Sequence, residues 1–248
     1  MRVAVYWQPG CTSCLRVRQF LDDHGIGFDS HNVLADPAAR ATLDRMGIRS
    51  VPVVTKGEDF VFAQELDDVA RFLNLPLRGA RLPVPDLVQR IEGLLSAATV
   101  MASRLPPAHR DTRIDGRDRT YADIAFHIGQ ICEAFLDAAR GGELSYQYFE
   151  RRAGAVSIVD SLGAVATSFS EWYASTRDRL PETLTTYYGR KPLQQVLERT
   201  AWHMAQHCRQ LQHILTGLRV AGGPWLSNAV LDGLPLPRDV WDPEIKPP

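Results

Sequence analysis

Cysteine is scarce, with four in 248 residues. That is too few for a disulfide framework, so a reducing cytoplasm is the expected compartment. Neither sign of charge dominates: 28 Lys and Arg stand against 29 Asp and Glu, a net −1. The chain therefore offers no basic surplus for nucleic acid or an anionic membrane. Long apolar runs are missing too, and none approaches the roughly 20 residues needed to cross a bilayer. There is no internal repeat and no low-complexity tract. The opening MRVAVYWQPG meets Pro-Gly-Cys at once, which suits a strand and turn better than a signal peptide.

What is present divides at a proline-rich stretch. Residues 2 to 73 switch hydrophobic period repeatedly. RVAVYW reads as a buried strand, TSCLRVRQFLDDHG as a helix stopped by Gly25, and GFDSHNV as a second strand. DPAARATLDRMG reads as a helix with Asp36 as N-cap and Pro37 in its first turn. VPVVTKGEDFVFA predicts a hairpin turning near Lys56-Gly57, and QELDDVARFLNL a closing helix. The order over residues 1 to 75 is β-α-β-α-β-β-α. Residues 76 to 85, PLRGARLPVP, are the expected linker. Beyond it lie four long segments with helical spacing, which predict an all-α four-helix bundle over residues 86 to 220. Thr120 and Asp123 mark one helix start and Pro192 another. The tail, residues 221 to 248, is rich in proline yet carries Trp225, Leu226, Leu231, Leu234, Leu236 and Trp241, so it is expected to pack along the bundle.

The first chemical signal is Cys11-Thr-Ser-Cys14. A zinc knuckle would need a second cysteine pair, and Cys132 and Cys208 lie apart in distant helical segments. Between a strand and a helix, the motif puts Cys11 at a helix N-terminus, where unpaired N–H groups and the dipole stabilise a thiolate. Cys11 then reads as the nucleophile and Cys14 as the resolving thiol. Val51-Pro52 sits where a proline opens a buried strand. A cis bond there would leave neighbouring backbone groups free to pair with a thiol substrate.

With the element order, the CxxC position and the SVPVV segment, the first 75 residues resemble glutaredoxins. The resemblance implies a thioredoxin-like α/β fold, dithiol chemistry at Cys11 and Cys14, and thiol-substrate binding at Val51, Pro52 and Asp67. The chain departs from that family in two places. No basic residue stands just before Cys11, in WQPGC, and Ala63-Gln64 stands where a Gly-Gly turn helps bind glutathione. Glutathione, another low-molecular-weight thiol or a protein thiol thus all stand as partners.

The second signal is WHMAQHCRQL, in which His203 and His207 lie four residues apart. On a helix that is about 400° of rotation and about 6 Å of rise, so both imidazoles leave one face a turn apart. His127, among Ile124, Ala125, Phe126, Ile128 and Ile131, is the candidate third ligand. Alone it would read as a satisfied core histidine; with the pair on another helix it reads as a metal ligand. His213 is about 240° from His207 and faces away. Cys132 and Cys208, about 140° from His127 and about 100° from His207, read as small core residues. His24, His31 and His109 read as solvated.

His127 and HMAQH make the second region resemble the DinB-like superfamily of four-helix metal proteins. The YYGRKPLQQVL stretch reads as a pre-helix turn, and LPLPRDVW looks like closing segments in that group. The resemblance implies one divalent transition metal on His127, His203 and His207. Zinc leads, with nickel, iron and manganese also open. The leading expectation is a metal-dependent thiol S-transferase or isomerase, with the glutaredoxin-like part delivering or regenerating the thiol. Its partners would be a small thiol and an electrophilic or disulfide small molecule, and the bundle is the expected homodimer surface. The competing readings are a thiol-disulfide oxidoreductase with an accessory metal-binding bundle, and a redox- or metal-responsive binding protein.

Overall fold

The computed structural model describes residues 2–77, 79–114, 116 and 118–244. No helix among them is long and apolar enough to cross a membrane. The chain separates into two compact units. One runs from the N-terminal residues to Ala80 and takes in the segment from Pro237; the other runs from Arg81 to Leu236.

The first unit follows the expected order: β1 (Val3–Trp7), α1 (Thr12–Asp23), β2 (Phe28–Asn32), α2 (Pro37–Arg45), β3 (Val53–Lys56), β4 (Asp59–Phe62) and α3 (Leu66–Leu73). It is a thioredoxin-like α/β unit. The sheet order is β2-β1-β3-β4, with β1 parallel to β2 and antiparallel to β3. Short β-branched runs make the central strands: Val5 faces Val54 across the ladder, and both are fully buried. Helices close over them through Val17, Leu21, Leu43 and Val69. The local signals hold. Asp36 caps α2 by accepting from Ala38 N at 2.9 Å and Ala39 N at 3.1 Å. The β3–β4 turn uses Gly57, whose φ of 69° lies in the left-handed region glycine tolerates.

The second unit is mostly helical. Its four long helices are α4 (Val84–Arg104), α5 (Tyr121–Ala139), α6 (Ile158–Thr176) and α7 (Leu193–Gly217). α4 and α5 each pack against both α6 and α7. Thr120 and Asp123 form a complete capping box at the start of α5. Three short strands depart from the all-α expectation: β5 (Glu143–Leu144) joins a hairpin of β6 (Thr183–Thr186) and β7 (Gly189–Pro192), turned at Tyr187-Tyr188, and β7 runs straight into α7. A short α8 (Asn228–Leu231) docks on α4 at Gly93, where a Cβ would stand 2.6 Å from Val230 Cγ1.

Two boundaries differ from the sequence reading. α4 begins at Val84, so the irregular connection stops at Pro83. Its far end is anchored: Arg81 pairs with the buried Glu198, and Gln194 Nε2 donates to Leu82 O at 2.9 Å. The tail, expected along the bundle throughout, divides. Gln212 Oε1 accepts from Trp225 N at 3.0 Å and Leu226 N at 2.9 Å, fixing its first part on α7. From Pro237 it belongs to the first unit and straps along α1. There the Gln19 side chain accepts from Arg238 N at 2.8 Å and donates to Asp239 Oδ2 at 2.7 Å, while Arg18 pairs with Asp242 and Glu244.

Gln19 is buried, so removing its amide takes away two hydrogen bonds to the strap. In the full chain, Gln19→Leu should destabilise the first unit by about 1–3 kcal/mol. Hydrogen exchange should then speed up in α1 and in residues 237–244; unchanged protection there would show that the strap contributes no stability.

Candidate functional site

Cys11 is the N-cap of α1, with extended backbone, and its Sγ accepts from Cys14 N at 3.1 Å. Cys11 and Cys14 form a disulfide; Cys14 is fully buried and Cys11 partly exposed. The more accessible sulfur is thus the one at the positive end of the helix, where a thiolate is stabilised. The Val51-Pro52 bond is cis, as expected. One of the backbone groups expected to be free beside it is not: the Val51 carbonyl accepts from Gln64 Nε2 at 3.2 Å. Gln64 Oε1 in turn accepts from Ser13 Oγ at 3.1 Å. This buried glutamine ties the CxxC turn to the loop before Pro52. In the sequence Gln64 stands out only as a departure from Gly-Gly. Asp67 follows three residues later, half-buried in the first turn of α3.

In the second unit, α5 packs on α7 and brings His127, His203 and His207 together, all three buried. One ring nitrogen from each lies within 4.8 Å of the other two. The Nε2 atoms of His203 and His207 are 3.3 Å apart. Two imidazoles held about 2.0–2.1 Å from one tetrahedral ion lie about 3.3 Å apart, so the pair fits a shared metal. His127 Nδ1 donates to Gln130 Oε1 at 3.1 Å, and His207 Nδ1 to Gln210 Oε1 at 2.8 Å. With Nδ1 as donor, Nε2 of each ring carries the lone pair.

An aromatic wall stands against the cluster. The Phe149 ring is 5.3 Å from His127 and 6.1 Å from His203, and Tyr187 is 6.4 Å from Phe149. Its segment is clamped from α5 and the stretch just ahead of it: Arg119 Nη2 donates to Phe149 O, and Asp123 Oδ1 accepts from Ala153 N at 2.9 Å. Burial raises the Tyr187 phenol pKa, and its oxygen accepts from Arg199 Nη2 at 3.1 Å. Phe149 comes from a connecting segment with no periodicity, so the sequence carried no signal for it; Tyr187 opens the YYGRKPLQQVL stretch, which pointed to a turn but not to the histidines. Gln130 and Gln210 did have one, each standing three residues after a candidate ligand.

The remaining candidates fall where expected. Cys132 and Cys208 are fully buried outside the cluster, and burial pushes both thiols up. His213 is exposed on the other side of α7, and His24 and His109 are exposed. His31 is partly exposed beside Asp36.

The glutaredoxin family profile matches residues 3–61. The glutaredoxin-like protein NrdH of Lactococcus lactis subsp. lactis is 38% identical over 61 residues, covering 25% of this chain and 83% of that protein. NrdH of Escherichia coli K12 is 31% identical over 58 residues, 23% of this chain and 72% of that protein. The gene 56 protein of Mycobacterium phage D29 is 38% identical over 53 residues, 21% of this chain and 59% of that protein. Through its first unit, this chain belongs to the glutaredoxin family. No solved structure matches it.

The glutaredoxin unit is a thiol-disulfide oxidoreductase domain, and the order of reactivity of its cysteines can be measured. After reduction, a thiol-reactive probe at about pH 6 should label Cys11 well before Cys14. Cys132 and Cys208 should react only when the helical unit unfolds. Even labelling of all four, followed by mass spectrometry, would contradict the assignment.

Proposed function

We propose that this chain is a thiol-handling enzyme joining a glutaredoxin-type dithiol to a metal-dependent thiol transferase or isomerase of the DinB-like four-helix class. The convergence of His127, His203 and His207 carries this reading. Three buried nitrogen donors, two of them tautomerically fixed, suit one divalent transition ion. Zinc is the first choice, and nickel, iron and manganese also accept imidazole. When bound, such an ion supplies a Lewis acid that holds a small thiol as its thiolate near neutral pH. The chain's own groups supply the setting. The imidazoles add no negative charge, and the buried Phe149 ring covers one side of the cluster.

On the redox side, the Cys11 thiolate attacks a disulfide and forms a mixed disulfide. The expelled thiolate takes a proton from water. Cys14, losing its proton, then attacks Cys11 Sγ and releases the second thiol, leaving the Cys11–Cys14 disulfide. Two molecules of glutathione or another small thiol restore the dithiol and leave as their own disulfide. The proposed partners are therefore a small thiol and an electrophilic or disulfide substrate. The cytoplasm is the proposed compartment, and the bundle the proposed homodimer surface. A second reading, an oxidoreductase with an accessory metal-binding bundle, draws support from the family match lying wholly within the first unit.

Metal analysis of untagged protein with a thiol-consumption assay tests both. His127→Ala, His203→Ala and His207→Ala should each lose more metal affinity than the about 10–100-fold that an outer partner costs. His213→Ala should keep stoichiometric metal. Thiol transfer should vanish with the metal while disulfide reduction by Cys11 and Cys14 persists. Retention of all activity in the metal-free protein would favour the second reading, and metal loss in His213→Ala would refute the site.

A further inference from the structure

Two of the three clustered histidines carry the same outer partner in the same way. His127 and His207 each donate from Nδ1 to the Oε1 of a glutamine three residues on, Gln130 at 3.1 Å and Gln210 at 2.8 Å. Both glutamines are at least 98% buried. A third His-x-x-Gln exists in the sequence, His203 and Gln206, but Gln206 Oε1 accepts from Arg209 Nη1 at 2.7 Å. Gln130 is itself held, since its Nε2 donates to Arg151 O at 3.3 Å.

We propose that Gln130 and Gln210 are positioning residues that commit His127 and His207 to bind a divalent cation through Nε2. The inference rests on the metal reading above. An amide oxygen only accepts, so it keeps the proton on Nδ1 and the lone pair on Nε2. It also fixes the rotation of each ring about its Cβ–Cγ bond. Without it, each buried imidazole could place its proton on Nε2 and present no donor to the ion. Position explains why the partners are glutamines. Three residues on a helix turn about 300°, close enough to the histidine's face for a side chain of that length to reach back. A glutamine serving only to satisfy a buried N–H would affect the stability of the metal-free protein and leave cation affinity alone.

The test uses the full chain with cobalt(II) as probe, its affinity read from the absorption spectrum. Gln130→Met and Gln210→Met keep the shape and remove the acceptor. Each should weaken cobalt binding by about 10–100-fold. Gln210→Glu keeps an acceptor oxygen and should bind within a few-fold of wild type. Nitrogen-15 NMR of the metal-free wild type should show both imidazoles protonated at Nδ1, a readout that needs no variant to fold. Wild-type cobalt affinity in both Met variants would overturn the inference and spare the metal reading. Protonation at Nε2, or Gln210→Glu binding as weakly as Gln210→Met, would overturn it too. A wild-type chain that takes up no cobalt would overturn the metal reading, and this inference with it.

Discussion

Burying three imidazoles where α5 crosses α7 is the constraint on which the second unit depends, because each ring nitrogen taken from water needs a partner. α5 is buried along almost its whole length, so the direction of His127 is set by packing on three sides. On α7, His203 and His207 occupy a stripe flanked by Ala201, Met204, Ala205 and Leu211, all fully buried. The apolar contacts of Leu87, Ile91, Leu94 and Leu95 on α4 supply the stabilisation that such a polar cluster cannot. Rotating either helix would strand imidazole nitrogens among apolar side chains, so the cluster and the helix packing specify one another.

In the glutaredoxin unit the corresponding constraint is a turn held from two sides. α1 brings the Cys14 amide to the Cys11 sulfur, while Gln64 fastens Ser13 of that turn to the carbonyl before Pro52. The turn and the proline loop thus share one buried amide. The family assignment covers this unit, and the same sulfur chemistry is the economical reason for joining it to a proposed thiol-activating centre. Both would act on a thiolate, one stabilised by a helix dipole and the other by a cation.

Much of this was legible before any fold was known, wherever the signal was local. Asp36 before Pro37, Thr120 before Asp123 and Gly57 in a hairpin each act within four residues, so pattern and chemistry coincide. The CxxC motif announced itself by its place between a strand and a helix. What misled was composition: Leu226, Leu234 and Trp241 correctly signalled burial, but an apolar residue does not say against what. Hence the tail past Pro237 went to the wrong unit, and the linker's anchored end, fixed by Arg81 and Glu198 across 117 residues, went unnoticed.

By itself the sequence determined the helical spacing of His203 and His207, the outward turn of His213, the caps and the dithiol. These follow from 1.5 Å of rise and about 100° of turn per residue, which any helix imposes. Only tertiary structure decided that His127 meets that pair, that Phe149 packs against it with Tyr187 behind, and that Gln64 closes the loop before Pro52. It also decided that Gln130 and Gln210 reach back to His127 and His207, and that Gln206 Oε1 meets Arg209. Those choices depend on which faces of distant segments are buried against each other, and no spacing along the chain encodes them.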